Sequence, residues 1–302
     1  MDESLTRRLW TLFEPVHGIT YFAPECAEAN KRVGLRGYWM GYFGSRAAPM
    51  GAVSPGVVTA VFHGFHPDRV RRAVPDAWSF ASPEAILAAR AEGAAAALRR
   101  IMPGVDEAAD AARPLIERVV READGAGRPL FAANRDLAWP DDPVAALWQG
   151  ATALREERGD GHVAVLTAEG LDGCEANVLA SATSADSPGE WLRESRGWSE
   201  DEWAAAGRRL ADRGLLDLEA GTNEEGSATE EGRATAEGRA TEEGRRLKAH
   251  IEARTDALAS RPLRALDDPE RLARALRPVA LAVQDSSDLP FPNPIGVPRP
   301  AR

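Results

Sequence analysis

Apolar and polar residues follow a helical rather than a strand period along nearly the whole chain. Residues 105–122 show this most clearly, with one apolar face and one face of Asp and Arg. Ser-Pro pairs at 54–55 and 82–83 predict helix starts, because proline lacks an N–H that the first turn does not need. Residues 86–101 are rich in strong helix formers. The pattern predicts a mainly α-helical protein.

Two interruptions of the pattern predict helix ends. Glu14-Pro15 is expected to end a first helix at residues 4–13, because proline disrupts a helix interior. Gly159 is expected to end a helix at 144–157, with a short helix at 162–168 beyond it. Residues 155–162 would then form a charged turn between two helices, in which His162 is a general base, a capping residue or a solvated side chain.

The stretch 124–143 is rich in Gly, Pro, Asp and Asn, a composition typical of a link between packed units. We therefore expect a helical domain at 1–137, a second domain at 138–262, and a helix with a proline-rich tail at 263–302. The tail has five prolines between positions 290 and 300 and should be extended. Its Phe291 and Ile295 indicate that it packs on the body of the protein.

Residues 199–247 hold the strongest local signals of the chain. In SEDEWAAAGRRLADRGLLD, Ser199 and Glu202 have the spacing of a capping box and Gly214 is a helix stop. Leu215-Leu216 begins a short strand, and after a polar loop ATEEGRRL leads into a long helix. Helix, strand, loop and helix in this order are typical of the reading helix and wing of a winged helix-turn-helix.

The segment RRLADRGLLD…TEEGRRL resembles the bacterial regulators of the MarR type, over about residues 141–260. The resemblance implies a reading helix at 199–213 that enters the DNA major groove, a wing at 215–241 that contacts the minor groove, and a homodimer formed by flanking helices. The basic positions of this reading helix, and so its DNA-binding candidates, are Arg208, Arg209 and Arg213.

Four further patterns, spread over nearly the whole chain, resemble an actinobacterial family labelled helix-turn-helix that has no established activity. They are EPVHGITYFAPE, RGYWMGYFGSRAAPMG, LREERGDGHVAVL and LPFPNPIG.

A repeat of six residues, ATEEGR or ATAEGR, fills positions 228–245. Each glycine costs a helix about 1 kcal/mol relative to alanine, and the repeat has no large apolar side chain to bury. We interpret it as a lengthened wing without packed structure. The alternative is an extended wing that contacts a partner through Arg233, Arg239 and Arg245.

The charge balance bears on DNA binding. The chain has a formal net charge of −10, and residues 198–256 hold 15 acidic against 9 basic side chains. DNA affinity comes mainly from neutralising phosphates, so this excess disfavours it. Three functions therefore stay open: a ligand-responsive DNA-binding regulator, a small-molecule-binding protein or enzyme that keeps the winged helix as a scaffold, and an enzyme that acts on DNA.

A dense group of aromatic residues in the N-terminal half predicts a ligand cavity, although an ordinary aromatic core would have the same composition. Tyr21, Trp39 and Tyr42 are its candidate lining residues, with His17 and Arg46 to orient a ligand. We expect no metal and no cofactor. The pairs Glu14/His17 and His63/His66 have a helical spacing that could hold a metal, but such pairs usually contact protein groups.

The two cysteines, Cys26 and Cys174, lack metal-site spacing and predict buried free thiols in a reducing compartment. The first ten residues resemble no secretory signal, and no apolar run is long enough to span a bilayer. We expect a cytoplasmic protein that does not contact a membrane.

Overall fold

The computed structural model describes residues 3–184, 189–218, 238–290, 293 and 295–296, and the protein is mainly α-helical, as predicted. Its two short strands, β1 (Leu216–Asp217) and β2 (Arg239–Ala240), are antiparallel. The helices are α1 (Glu3–Gly18), α2 (Pro24–Arg32), α3 (Gly37–Ala47), α4 (Pro55–Val61), α5 (Pro67–Arg71), α6 (Asp76–Phe80), α7 (Pro83–Ile101), α8 (Val105–Glu122), α9 (Pro129–Arg135), α10 (Pro143–Ala168), α11 (Gly173–Thr183), α12 (Gly189–Arg196), α13 (Glu200–Asp212), α14 (Glu242–Ala259) and α15 (Pro269–Asp285).

Helices with strong local signals begin and end close to their predicted positions. The Ser82 hydroxyl accepts the Ala85 N–H at the start of α7. At the start of α13, the Ser199 hydroxyl accepts the Glu202 N–H and the Glu202 carboxylate accepts the Ser199 N–H, so the capping box is complete. Gly214 follows this helix with a positive φ of 72°, as a helix stop requires.

The predicted end of the first helix at Glu14-Pro15 is wrong, because α1 continues through Pro15 to Gly18. A proline in a helix interior costs about 3 kcal/mol. Leu12 and Val16 lie on either side of it and are buried in the core, and each contributes roughly 1.5–3 kcal/mol of burial. Packing therefore outweighs the local preference.

The predicted turn at 155–162 is also wrong. Helix α10 runs through Gly159 without a break from Pro143 to Ala168. An interior glycine costs only about 1 kcal/mol, while Leu154 before it and Val165 after it are both anchored in apolar clusters. His162 therefore lies on a long helix rather than in a loop.

Three apolar clusters organise the protein, and α10 belongs to two of them. The first cluster joins α1, α7, α8, α10 and α15, the second contains the aromatic residues of α3 and of the segment 62–65 that follows α4, and the third joins the end of α10 to α11, α13 and β1. Leu289 is buried in the first cluster, and Ile295 packs against the first two. The domain boundaries at 137 and 262 stay predictions.

Parts of the sequence analysis lie outside the described residues. Phe291 and the repeat up to residue 237 are among them. Within the described ranges, no helix has both the length and the apolar character that a membrane span needs. Cys26 and Cys174 are free and buried, as predicted.

Candidate functional site

The three predicted DNA-binding arginines have different surroundings on α13. Arg209 donates to the carboxylates of Glu175 at 2.7 Å and Asp172 at 2.6 Å, both at the start of α11. Arg213 donates to the carbonyl oxygens of residues 169 and 170. Arg208 is exposed and forms no ion pair with a residue that the structure describes. Arg208 is thus the member of the trio whose charge faces solvent without an internal partner.

The turn that leads into α13 is contacted by residues 63–69 of the N-terminal half. The Trp198 indole N–H donates to the Gly64 carbonyl at 3.0 Å, and the His66 N–H donates to the Arg196 carbonyl at 2.9 Å. The His66 ring accepts the Asp68 N–H at Nδ1, so its Nε2 donates to Glu202 at 2.9 Å. We call this contact between residues 63–69 and the α12–α13 turn the seam.

The exposed face of α13 has more carboxylate groups than arginines. Its exposed side chains include four carboxylates beside the three arginines. Since two of those arginines are already bonded within the protein, the face as described is acidic. The four are Glu200, Asp201, Glu202 and Asp212.

A cavity of about 450 Å³ lies between α2 and α3, where the aromatic cluster predicted a ligand site. Tyr21 and Tyr42 line it, and both are buried. Tyr38, which is half exposed, lies at its edge. Trp39 is not among the lining residues and instead packs on Phe43 and Phe65 of the second cluster.

His17 lies behind this cavity and connects it to α10. Its Nε2 is 2.7 Å from the Tyr21 hydroxyl and its Nδ1 is 3.0 Å from the Thr152 hydroxyl. Burial holds the pKa of His17 well below its ordinary value and raises the pKa of Tyr21. The imidazole is therefore neutral and the phenol protonated at neutral pH, so His17 fixes Tyr21 rather than supplying charge.

Arg46 is the centre of a buried ion network. Its guanidinium donates two bonds of 3.0 Å to Glu156 on α10 and a third to the Tyr42 hydroxyl. Arg155 donates to the same Glu156 at 2.7 Å and to Glu14 at 3.3 Å. Burial alone would raise the pKa of Glu156, but Arg155 and Arg46 hold it well below the ordinary value. The network links the aromatic cavity to α10.

Two further cavities, of about 240 and 310 Å³, adjoin each other between the N-terminal half and the helices α11 and α14. We call them together the junction cavity. Arg155, Gly159 and His162 of α10 line both parts, together with Lys248 of α14. These three positions of α10 are spaced by four and three residues and share a helix face. That pattern was visible in the sequence, but the predicted break at Gly159 concealed it.

The hydrogen bonds of His162 define its tautomer. The Thr255 hydroxyl donates to the Ile251 carbonyl at 2.8 Å, so its oxygen accepts a bond from His162 Nδ1–H at 3.0 Å. Burial, with Lys248 nearby, lowers the pKa of His162 to about 4. At neutral pH the ring is uncharged, and Nε2 carries a lone pair that can accept a hydrogen bond.

Replacing His162 should change the pH dependence of stability. The folded pKa of about 4 lies below the ordinary value of about 6.5, so the unfolded chain binds this proton first as pH falls. The stability that neutral His162 contributes is complete above pH 6.5 and is lost towards pH 4. We expect the difference in unfolding free energy between wild type and His162→Gln to shrink over that range, measured by urea titration. A difference that does not change with pH would contradict this.

The two pairs with metal-like spacing do not converge. Glu14 contacts Trp10 and Arg155, and His63 Nε2 lies 3.1 Å from the Leu171 carbonyl. Among the described residues, no group of three or more His, Cys, Asp or Glu side chains is placed to hold a metal ion.

The described geometry is that of a mainly helical protein in which α12 and α13 are joined by a tight turn at Gly197, with a positive φ of 87°. The chain belongs to a helix-turn-helix family, whose profile matches residues 6–290. No curated protein and no solved structure matches it. Because the match spans both halves, the N-terminal helices are part of what defines the family.

Proposed function

We propose that this protein is a ligand-responsive DNA-binding regulator in which α12 and α13 form the helix-turn-helix and β1–β2 the base of a wing. Membership of a helix-turn-helix family supports the DNA-binding part. The observation that carries the regulatory part is the seam, because through it residues 63–69 are bonded to Trp198 in the turn before the reading helix α13 and to Glu202 in its first turn. In this conformation the N-terminal half holds the reading helix in place.

In this mechanism Arg208 contacts DNA phosphates from the exposed face of α13. Arg209 and Arg213 hold the helix against α11 and the preceding turn, and they reach DNA only if those bonds exchange. DNA binding thus competes with contacts inside the protein. A homodimer, which the resemblance to MarR-type regulators implies, and a cytoplasmic location complete the proposal.

The aromatic cavity is the proposed binding site of the ligand. Tyr42 lines that cavity and also the junction cavity, and its hydroxyl accepts a bond from Arg46. Arg46 is bonded to Glu156 on α10, a helix that continues into the third cluster beside α11 and α13. A ligand that moves Tyr42 would therefore displace contacts that reach the seam. Since α10 is one rigid helix, a small shift at one end is carried to the other.

The test measures binding of the whole protein to random-sequence and genomic duplexes at two salt concentrations. Arg208→Ala should weaken binding at every sequence and reduce the salt slope by about one. His66→Ala combined with Arg69→Ala should tighten binding severalfold, because it removes seam contacts to Glu202 and to the carbonyl of Glu194.

Arg32→Ala is the matched control, because Arg32 is exposed on α2, far along the chain from the reading helix, and pairs with Glu92. It should leave DNA binding unchanged. If neither the wild type nor the seam variant binds DNA at low salt, the proposal that this protein is a DNA-binding regulator is wrong.

The acidic face of α13 favours a second candidate, a ligand-binding protein that uses the helix-turn-helix as a scaffold. Carboxylates at the leading end repel phosphates, while they suit the dipole of a helix that never meets DNA. The two candidates differ in one readout: a scaffold protein binds its ligand but no duplex, and its seam variants lose stability without gaining affinity for DNA.

A further inference from the structure

The junction cavity has a surplus of positive charge. Five cationic side chains line its two parts, against three carboxylates. Asp256 and Arg7 lie just outside the lining and pair with each other and with lining side chains, and counting both leaves six cations against four carboxylates. In a chain with a net charge of −10, this is a local exception. The cations are Arg46, Arg155, Arg158, Arg196 and Lys248, and the carboxylates are Glu14, Glu156 and Glu252.

The surplus is concentrated around one carboxylate. Glu252 accepts from Lys248 at 2.5 Å and from Arg7 at 2.9 Å, and it lies 3.6 Å from Arg158. Three cations therefore share one carboxylate there, while Asp256 adds a second for Arg7 and Arg158 only. An anion that enters the cavity would find cationic donors that are incompletely neutralised.

The cavity also offers one uncharged acceptor. His162 lines both of its parts, its Nδ1–H donates to Thr255, and its Nε2 has no hydrogen-bond partner among the described residues. Gly159 lies one turn away, and an added Cβ there would meet nothing closer than 3.5 Å. The α10 wall therefore combines cationic Arg155, open space and a hydrogen-bond acceptor.

We propose that the junction cavity binds a small carboxylate or phosphate anion that also carries a hydroxyl or amine hydrogen-bond donor. Arg155 and Lys248 bind the anionic group, and His162 Nε2 accepts the bond from the donor. An anion without a hydroxyl or amine donor binds Arg155 and Lys248 but gives His162 Nε2 no hydrogen bond. The site goes beyond the proposed function, since it binds its anion whether or not the protein binds DNA.

Calorimetry on the whole protein, without DNA, tests this with succinate, malate and inorganic phosphate. Malate differs from succinate by one hydroxyl, so it isolates the contribution of His162. We expect all three to bind, with malate about tenfold tighter than succinate. The preference for malate should disappear in His162→Phe, which keeps a ring in the same place.

Lys248→Met should weaken all three probes by about tenfold, because a charge-assisted contact is lost. Its side chain is 28% exposed, so this change is tolerated more easily than one at Arg155. Arg32→Met is the control for loss of a cation, since Arg32 is exposed on α2 and lines neither the junction cavity nor the aromatic cavity.

Binding that is equally strong in Lys248→Met, or no binding of any probe to the wild type at about 10 mM, would overturn the site. A preference for malate that survives in folded His162→Phe would overturn the role of His162. Because these measurements involve no DNA, their failure is separate from a failure of DNA binding.

Discussion

Glu156→Gln should destabilise the protein by about 3–5 kcal/mol, the cost of leaving a buried charge without its partner. Glu156 is 1% exposed and accepts two bonds of 3.0 Å from Arg46 and one of 2.7 Å from Arg155. Glutamine keeps the shape but removes the negative charge, so two buried guanidinium groups lose their main counter-ion. Tyr42 and Glu14 remain as their weaker partners.

The measurement is urea unfolding of the wild type and the variant at neutral pH, followed by circular dichroism. Glu92→Gln is the control, since Glu92 pairs with Arg32 on the surface with both side chains more than half exposed, and such pairs contribute about 0–1 kcal/mol. Equal losses of unfolding free energy in both variants would show that the buried network contributes no more to stability than a surface ion pair does. In a double-mutant cycle with Arg46→Gln, the coupling to Arg46 should account for much of the loss.

Local signals in the sequence were enough to predict α13 and the strand that follows it. Ser199, Glu202 and Gly214 each act within one helix and one turn, and the structure has the corresponding cap, box and positive φ. Tyr21 and Tyr42, which were predicted to line a ligand cavity, do line one cavity, and their binding of a ligand stays a prediction. Trp39 was predicted beside them but faces the second apolar cluster, because composition does not tell which side of α3 a ring occupies.

The long helix α10 could not be predicted in the same way. Gly159 is a reasonable helix stop when only its neighbours in sequence are considered. The helix stays continuous because of tertiary contacts. Glu156 is bonded to Arg46, 110 positions away, and Arg158 is bonded to Asp256, 98 positions away. The junction cavity was missed for the same reason, as Arg155 and Lys248 are brought together by packing rather than by any spacing along the chain.

Gly173→Ala should cost about 3 kcal/mol, at the upper end of overpacking penalties. Gly173 begins α11, and a Cβ at this position would lie 1.9 Å from the carbonyl oxygen of His63. A backbone carbonyl cannot move aside as a flexible side chain can. His63 also lies next to Gly64, whose carbonyl accepts bonds from Trp198 and Asn177. The added methyl therefore pushes apart the two surfaces that form the seam.

Gly207→Ala separates this effect from the general consequence of adding a methyl group to a helix. A Cβ at Gly207 in α13 would meet only a side chain, at 3.8 Å, so alanine should stabilise the protein slightly through helix propensity. Urea unfolding of both variants gives the comparison, and equal effects would rule out a close approach at His63. If the seam restricts the reading helix, folded Gly173→Ala should also bind duplex DNA more tightly than wild type, while Gly207→Ala should not. Loss of stability without this gain would leave the close approach in place and favour the scaffold candidate.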